Sequence, residues 1–359
     1  MSVITEQLGK VLVHAKERGL KEALNYGLFR YSYAIHGPFV ASVINRLAPY
    51  PTCVEIEVTT KCNLRCTMCE HTYWNEPNVD MTYNQFLHIM KQFPRLRWIG
   101  LTGIGESLMN KDFMKMVEYV KERKIYLELF DTFYFWDKVF SRKMVSLGLN
   151  RVVPSLDGAT AATYESIRVN SKFDRVVQNL RDLFAVKREL KRKLPEVHFH
   201  FIVSKKNIDE MLPYLDLTKD IAQGEPISVQ FTELLHGYEQ IADQVVRIPD
   251  SLVSDVEKRA CALGTKLNWN RNVNRVKPVF SRCTLWTMPF IFVSGHVIPC
   301  CGGNEANARQ AQKDTSMGNI FEQDFKTIWN GAKYRALRKE LGHGRVPSPC
   351  RNCPVFANS

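Results

Sequence analysis

Three cysteines lie close together in the segment KCNLRCTMCE. Cys62, Cys66 and Cys69 have the spacing C-x3-C-x2-C. Three thiolates at this spacing can each hold one iron of a [4Fe–4S] cluster, and the fourth iron then has no protein ligand. An open metal position indicates chemistry, because a structural site is closed by its full set of ligands. The alternative is a zinc site with His71 as its fourth ligand.

A second set of cysteines lies near the C-terminus. Cys283 is followed by Cys300 across a predicted hairpin, and then by the pair Cys350 and Cys353 with CxxC spacing. Four such thiolates can close a site for a [4Fe–4S] cluster, for zinc or for a single iron. Cys301 is next to Cys300 and could replace it as a ligand.

The composition is typical of a soluble globular enzyme. The chain has 359 residues, of which 45% are hydrophobic and 24% are charged, as in ordinary globular domains. No apolar run approaches the ~20 residues of a membrane span, and the N-terminus has no secretory signal pattern. We therefore expect a cytoplasmic protein, in which ten cysteines indicate metal binding rather than stable disulfides.

The formal net charge is +12, which could favour nucleic acid, anionic lipid or an acidic protein that delivers electrons. The basic residues are dispersed, and the densest run, from Lys187 to Lys193, is interpreted as a solvated helix end. No nucleic-acid partner is predicted.

A long middle region alternates predicted strands with predicted helices. Such repeats give parallel strands with right-handed crossovers, and six of them predict an α/β fold, an open partial (β/α)6 barrel with its chemistry at the carboxyl ends of the strands. After about residue 245 the alternation is expected to stop, and a hairpin around Gly295 and one helix from Asp324 to Leu341 should follow. The predicted strands are Cys53–Thr59, Arg97–Thr102, Ile125–Phe130, Arg151–Leu156, Val197–Val203 and Ile227–Phe231.

These patterns divide the chain into a helical extension (1–50), the barrel (51–245) and a small C-terminal domain (246–359). In residues 1–50 apolar side chains recur at helical spacing. An apolar face that includes Val43 and Leu47 could lie on a membrane surface, or it could pack against its own domain.

The first cysteine motif resembles that of the radical S-adenosylmethionine (SAM) superfamily, in which SAM chelates the open iron. The resemblance implies that Met68, which precedes the third cysteine, contacts adenine through its backbone. It also implies that the segment LTGIGESL holds the methionine amine of SAM through Gly103, Gly105 and Glu106.

A further segment, SLDG, is similar to one that lies beside SAM in many relatives, and this assigns Ser155 to the SAM site. Arg168, expected in the following helix, could pair with the SAM carboxylate or be an ordinary surface arginine. The segments IFVSGHVIPCC, MGNIFEQDFKTIWNG and SPCRNCP resemble a SPASM/twitch extension. This second resemblance implies an auxiliary [4Fe–4S] cluster on Cys283, Cys300, Cys350 and Cys353.

The resemblance implies that the protein cleaves SAM reductively, with an electron from a flavodoxin or ferredoxin, and that the 5′-deoxyadenosyl radical removes a substrate hydrogen. We expect oxidation of a small-molecule or sugar-like substrate, with the auxiliary cluster as electron acceptor. One alternative is a peptide-modifying SPASM maturase that forms a cross-link or an epimer, although its usual N-terminal module is strand-rich and residues 1–50 are predicted helical. The other is a non-catalytic two-cluster electron carrier.

Removal of a proton from an oxidised substrate would need a general base. Candidates near the strand ends are Asp131, Glu233, His236 and Tyr238, each of which could equally be a polar loop residue.

Overall fold

Strands and helices alternate along most of the chain in the computed structural model, which describes residues 3–33, 43–44, 46–234, 239–271, 283–302, 309–343 and 345–350. The chain forms two compact units. Unit one contains Met1–Lys61, Pro77–Leu127 and Asn274–Ser359, and unit two contains Cys62–Glu76 and Glu128–Val273.

Unit one contains parallel strands that are extended by a hairpin. The central strand β1 pairs in parallel with β3 on one side and with β10 on the other, and β11 and β12 continue antiparallel from β10. Every residue of β1 and β3 is buried, as expected for parallel strands that are covered on both faces. The strands, numbered in chain order, are β1 (Cys53–Ile56), β3 (Trp98–Leu101), β10 (Phe290–Ile291), β11 (His296–Ile298) and β12 (Gly318–Asn319).

The helices of unit one include the two predicted near the N-terminus. They are α1 (Val3–Arg18), α2 (Leu20–Tyr33), α3 (Tyr83–Lys91), α4 (Phe113–Glu122), α10 (Arg309–Asp314), α11 (Phe325–Trp329) and α12 (Ala332–Gly342). A buried ion pair anchors α2, because Lys121 Nζ lies 2.9 Å from Glu22 Oε1. Burial lowers the pKa of Lys121 to about 8, although the Glu22 carboxylate opposes this shift. In the part of the chain that the structure describes, no helix has both the length and the hydropathy needed to cross a bilayer.

Unit two is a set of parallel strands with helices between them. Its strands follow the order β4, β5, β7, β8, β9, and a separate antiparallel pair joins β2 to β6. The strands are β2 (Arg65–Cys66), β4 (Tyr126–Asp131, whose first two residues belong to unit one), β5 (Arg151–Pro154), β6 (Arg168–Val169), β7 (Glu196–Val203), β8 (Ile227–Glu233) and β9 (Lys266–Asn270). The helices are α5 (Lys138–Leu147), α6 (Ala161–Ile167), α7 (Phe173–Glu189), α8 (Met211–Ala222) and α9 (Asp250–Ala262).

The two faces of the unit-two sheet differ in character. Along β7 the residues are alternately half-buried and fully buried. Phe199 and Phe201 belong to the buried set, and the ring of Phe201 packs 4.6 Å from that of Tyr214 on α8. The opposite face carries His198 and His200 and is only half-buried. A parallel sheet normally buries both faces with apolar side chains, whereas this face is polar and only half-buried.

Three sequence-based expectations are wrong. The alternation does not stop near residue 245, because α9 and β9 add another helix and another parallel strand. The helix predicted from Asp324 to Leu341 is two helices, since the chain leaves α11 at Asn330 and α12 begins after Gly331. Arg168 lies outside the helix α6, because its backbone pairs with that of Cys66 in β6.

Candidate active site

The first three cysteines lie on one loop of unit two. The Leu64 amide donates to Cys62 Sγ at 3.4 Å, and the Cys69 amide donates to the Cys66 carbonyl at 3.1 Å. Burial raises the pKa of the Cys66 thiol and raises that of Cys69 to about 12, with a further contribution from Cys66. Metal binding must therefore displace protons from these thiols, as it does at any thiolate site.

Arg168 lies against the second of these cysteines. Its NH1 group is 3.8 Å from Cys66 Sγ, within hydrogen-bonding range of sulfur. Its Nε and NH2 groups bind Asp157 Oδ2 at 2.6 and 2.5 Å. Burial lowers the pKa of Arg168, but the Asp157 carboxylate more than offsets this, so the pKa is raised and the guanidinium stays charged.

Asp157 is fully buried three residues beyond the end of β5. Its second oxygen, Oδ1, accepts a hydrogen bond from the Ile202 amide at 2.7 Å, and its carbonyl accepts one from Asn207 Nδ2 at 3.0 Å. Asp157 therefore fixes the Arg168 guanidinium beside Cys66. Asp157 lies in the SLDG segment, and no role was predicted for it from the sequence.

The chemistry of this loop fits an iron–sulfur cluster. Three thiols on one short segment are accompanied by an amide and a guanidinium that donate to sulfur. Among the described residues, no group of three or more Cys, His, Asp or Glu side chains is arranged to hold a metal ion. In a [4Fe–4S] cluster each of three such thiolates would take a different iron.

The glycine-rich segment after β3 is packed tightly within unit one. A Cβ atom at Gly105 would lie 2.4 Å from the Thr59 carbonyl oxygen, and one at Gly103 would lie 2.5 Å from Glu57 Cγ. The Glu106 amide donates to the Lys61 carbonyl at 2.7 Å. Lys61 directly precedes Cys62 in the chain. The two glycines are required because the glycine-rich segment packs directly against the residues that lead into the cysteine loop, which leaves no room for a Cβ atom.

Glu57, just beyond β1, is completely buried and has both carboxylate oxygens occupied. Oε2 lies 2.6 Å from Arg309 NH2 and accepts from the Ile104 amide at 3.3 Å. Oε1 accepts from the Val293 amide at 3.3 Å. One carboxylate thus joins the glycine-rich segment to the β10–β11 hairpin and to α10.

Ser155 begins a polar row on the open face of the unit-two sheet. It forms a parallel bridge with His200, whose Nε2 lies 2.8 Å from Thr232 Oγ1. His198 lies 2.5 Å from Ser228 Oγ through Nδ1 and 3.1 Å from Gln230 Oε1 through Nε2. We call the five residues on β7 and β8 the histidine strip: His198, His200, Ser228, Gln230 and Thr232.

The histidine strip is uncharged at neutral pH. Burial lowers the pKa of both histidines to about 4, and the nearby cations Arg151 and Arg168 lower it further at His198 and His200, respectively. The strip was not predicted from the sequence, although the alternating histidines of the apolar strand VHFHFIV were a usable signal.

Two of the four candidate general bases, Asp131 and Glu233, are described, and each contacts neighbouring backbone. Asp131 Oδ1 accepts from the Phe133 amide at 2.7 Å, which stabilises a turn in which Phe133 has a φ of 60°. Glu233 Oε1 accepts from the Ile248 amide at 3.0 Å and lies 3.9 Å from Arg271 Nε. Both carboxylates are buried and hold neighbouring backbone in place. His236 and Tyr238 lie outside the described residues.

Four of the C-terminal cysteines are described, all in unit one. Cys283, Cys300 and Cys301 are half-buried, and Cys350 is buried. Cys301 packs against the apolar cluster of Phe290, Phe292 and Ile298, which favours Cys300 as the ligand. Cys353 lies outside the described residues. The ligand set for an auxiliary cluster, like the SAM contacts of Met68, Gly103, Gly105, Glu106 and Ser155, stays a prediction.

Comparison with known families agrees with this geometry. Residues 56–217 match the model of the radical SAM superfamily, and residues 283–354 match that of the SPASM iron–sulfur cluster-binding domain. The chain belongs to the radical SAM superfamily and carries a SPASM domain. A [4Fe–4S] cluster with SAM and auxiliary iron–sulfur binding are the cofactors of these two domains.

Among known proteins, the chain is similar to a tungsten-containing aldehyde ferredoxin oxidoreductase cofactor-modifying protein of Pyrococcus furiosus. The two are 28% identical over 330 residues, which is 84% of this chain and 86% of the relative.

Two solved radical SAM proteins share the fold. SuiB of Streptococcus suis, bound to S-adenosylmethionine, has a TM-score of 0.65 at 15% identity, and the matched region covers 98% of this chain and 87% of the SuiB chain. The protein anSMEcpe, bound to AdoMet and the Cp18Cys peptide, has a TM-score of 0.59 at 15% identity, with coverage of 84% and 85%. The predicted α/β radical SAM fold with a C-terminal SPASM domain is thereby confirmed.

Proposed function

We propose that this radical SAM enzyme is a maturase that modifies a peptide. The observation that carries the proposal is the uncharged histidine strip, which begins one strand away from Ser155, the residue assigned to the SAM site. A peptide backbone presents alternating donors and acceptors without charge, and the strip offers both kinds of group. SuiB has also been solved bound to its precursor peptide SuiA, which supports the proposal at the level of the fold.

The bound cofactors supply the difficult chemistry, a 5′-deoxyadenosyl radical that removes a hydrogen atom from carbon. The protein supplies binding and orientation. Cys62, Cys66 and Cys69 hold the cluster, and the Arg168 guanidinium keeps a positive charge and an N–H donor against Cys66. Such a donor stabilises thiolate over thiol, because a hydrogen bond to the charged form favours that form.

The histidine strip orients the substrate. Thr232 Oγ1 accepts from Gln230 Nε2 at 3.2 Å, so its own hydrogen can be donated to His200 Nε2. In that arrangement the neutral His200 ring carries its proton on Nδ1 and offers it as a donor. A carboxylate substrate would gain little from neutral groups, whereas a peptide carbonyl or amide is well matched.

Modification of a small molecule is the second candidate, and it includes the oxidation expected from the sequence. The relative from Pyrococcus furiosus is a cofactor-modifying protein, and the similarity extends over 84% of this chain. Sugar hydroxyls or a heterocycle could use the same neutral donors and acceptors.

The electron donor in this proposal is an acidic protein such as a flavodoxin or ferredoxin. The net charge of +12 would attract such a partner at long range.

The test uses hydrogen transfer to identify the substrate class. Cells of the source organism are grown in deuterated medium, and their extract is added to the anaerobic enzyme with unlabelled SAM and dithionite. Deuterium in 5′-deoxyadenosine, measured by mass spectrometry, reports abstraction from a substrate in the extract. A peptide substrate predicts that protease treatment of the extract abolishes the label. If labelling persists after protease treatment, and if the filtrate of the extract through a small-molecule filter still supports it, the substrate is a small molecule and the second candidate is correct.

A further inference from the structure

A basic cleft of about 470 Å³ opens on unit one, where α2 approaches the ends of α3 and α4. Five of its twelve lining residues are lysine or arginine, and none is acidic. The five are Lys21, Lys91, Arg95, Arg97 and Arg123. They come from three separate segments of the chain, and the fold brings Lys21 and Arg123 to the segment that carries Lys91, Arg95 and Arg97.

The positive charge in this cleft is weakly compensated. Arg123 NH1 lies 4.0 Å from Glu122 Oε2, and its guanidinium lies over the Tyr119 ring at 3.4 Å. Within the described ranges, no acidic side chain forms an ion pair with Lys21, Lys91 or Arg95. Clustered like charges repel one another, and an anion in the cleft would relieve this repulsion.

Exposed leucines lie on α2 beside the cleft and on α1, which packs against α2. On α2, Leu20 is 71% exposed and Leu24 is 55% exposed, and they lie beside Lys21 and Asn25, which line the cleft. On α1, the pair Leu8 and Leu12 is 58% and 68% exposed. Each pair has i,i+4 spacing and so shares one helix face. The two pairs are therefore exposed apolar side chains in recurring positions on packed helices, and not single scattered residues.

The helices that carry these leucines are held firmly from the other side. Glu22 binds the buried Lys121, and Asn25 Nδ2 donates to the Lys124 carbonyl at 2.8 Å. The rings of His14 and Tyr26 pack 4.5 Å apart inside unit one. The leucines therefore face outward from helices that are already packed on unit one, and they are not part of its core.

We propose that the basic cleft and the leucine pairs form a docking surface for an anionic phospholipid membrane. A headgroup phosphate occupies the cleft, where arginine guanidinium groups match its geometry. The leucines enter the boundary between headgroups and acyl chains, as the apolar faces of interfacial helices do. Apolar side chains next to cations distinguish this surface from a site for a free phosphate, which needs the cations alone.

The test is sedimentation of the reconstituted full-length enzyme with vesicles of phosphatidylcholine, either pure or mixed with phosphatidylglycerol. We expect binding to the mixed vesicles only, weakening as salt is raised. Lys21→Glu combined with Arg95→Glu should lower the partition coefficient at least tenfold, since each basic residue near an anionic surface contributes roughly a fivefold effect. Leu20→Ser combined with Leu24→Ser should lower it by a similar factor.

The control variant carries the same charge change elsewhere. Lys191→Glu combined with Arg192→Glu alters two exposed cations in unit two and should leave vesicle binding within about twofold of the unmodified enzyme. An equal loss of vesicle binding in this control would show that net charge alone causes the effect, and it would overturn the proposal. Full binding by the leucine variant, or calorimetric binding of glycerol 3-phosphate as tight as vesicle binding, would also overturn it, because the cleft would then be a soluble-anion site. A circular-dichroism melt of each variant verifies folding.

Discussion

Arg168 and Asp157 form a buried ion pair in which each charge depends on the other. Their side chains are 9% and 1% exposed. Removing one partner from such a pair leaves an uncompensated buried charge, which costs far more than loss of an exposed pair. The pair also sets the position of the guanidinium beside Cys66. The same contact therefore affects both the stability of the fold and the surroundings of the Cys66 sulfur.

Asp157→Asn should lower the free energy of unfolding by about 3 kcal/mol or more, because it leaves the buried Arg168 charge without a counter-charge. The matched control is Asp220→Asn, which breaks the exposed pair with Arg181, at 2.6 Å and with side chains 64% and 40% exposed. That change should cost less than about 1 kcal/mol. Urea unfolding under anaerobic conditions measures both. Equal losses would mean that the buried pair contributes no more than a surface contact.

The two histidines of the strip should make stability depend on pH. Their pKa is about 4 in the folded protein, while that of histidine in an unfolded chain is about 6.5. Between these values the unfolded chain binds more protons, so the free energy of unfolding falls as pH decreases from 6.5 towards 4 and is fully retained above 6.5. The loss should reach roughly 1 to 2 kcal/mol per histidine at pH 5. Unfolding curves of His198→Gln combined with His200→Gln should show a flatter dependence on pH, and an unchanged slope would contradict this account.

Part of the candidate site is a prediction that the sequence alone can make, because that part consists of local spacing. Cys62, Cys66 and Cys69 and the glycine-rich segment belong to this part. The Arg168–Asp157 pair is not such a prediction, because it depends on where α6 ends and on the pairing of β6 with β2. The histidine strip likewise depends on which face of β7 the helices cover, which spacing alone does not determine.

The hairpin between β10 and β11 turns at Gly295, with a φ of 85°. A Cβ atom there would lie 2.3 Å from Asn319 Oδ1 and 2.4 Å from Phe321 Cδ2. Gly295 is therefore required for two reasons: its backbone is left-handed, and Asn319 at the end of β12 and Phe321 just after it leave no room for a Cβ atom.

Gly295→Ala should destabilise unit one and reduce iron binding by the C-terminal cysteines. Gly224→Ala is the matched control, since its φ is 89° and nothing lies within 4 Å of the added carbon. The control should show only the backbone cost of about 1 kcal/mol, and Gly295→Ala should cost at least twice that amount. Thermal melts and iron analysis measure the two effects. Equal melting temperatures would argue that Asn319 and Phe321 move aside freely.

At the scale of elements, all six predicted strands are present, with ends shifted by a few residues. Strands with uninterrupted apolar runs, such as β1 and β3, were easy to recognise. The strand β9 was missed because its sequence, KLNWN, has no apolar run and is recognisable only through its parallel pairing with β8. The division between α11 and α12 was missed because apolar spacing continues across Gly331.

For the molecule as a whole, iron content tests the two-cluster assignment. Anaerobically reconstituted protein should hold about eight irons, for two clusters of four. Replacing Cys62, Cys66 and Cys69 with alanine should leave about four and abolish formation of 5′-deoxyadenosine. Cys261→Ala, at an exposed cysteine outside both sets, is the control and should keep about eight. An iron count near four in the intact protein, with stoichiometric zinc, would contradict the assignment of an auxiliary iron–sulfur cluster.

The charge of the whole chain predicts how salt affects electron delivery. If an acidic flavodoxin is the donor, turnover should fall as salt is raised, because screening shortens the attraction to a Debye length of about 8 Å at physiological salt. Turnover with dithionite, a small reductant, should change much less. Rates of 5′-deoxyadenosine formation at several salt concentrations compare the two, and identical salt dependence would count against electrostatic attraction of the donor.

The buried carboxylate of Glu57 limits how this protein can be recombined with its relatives. It is anchored by the glycine-rich segment, the β10–β11 hairpin and Arg309 together, although these lie far apart in the sequence. A chimera that takes its C-terminal portion from another family member would leave Glu57 buried without its cation unless the donor carries an arginine at the matching place. Exchange of modules between such enzymes, in evolution or in engineering, is therefore constrained to pairs that preserve this one charge match.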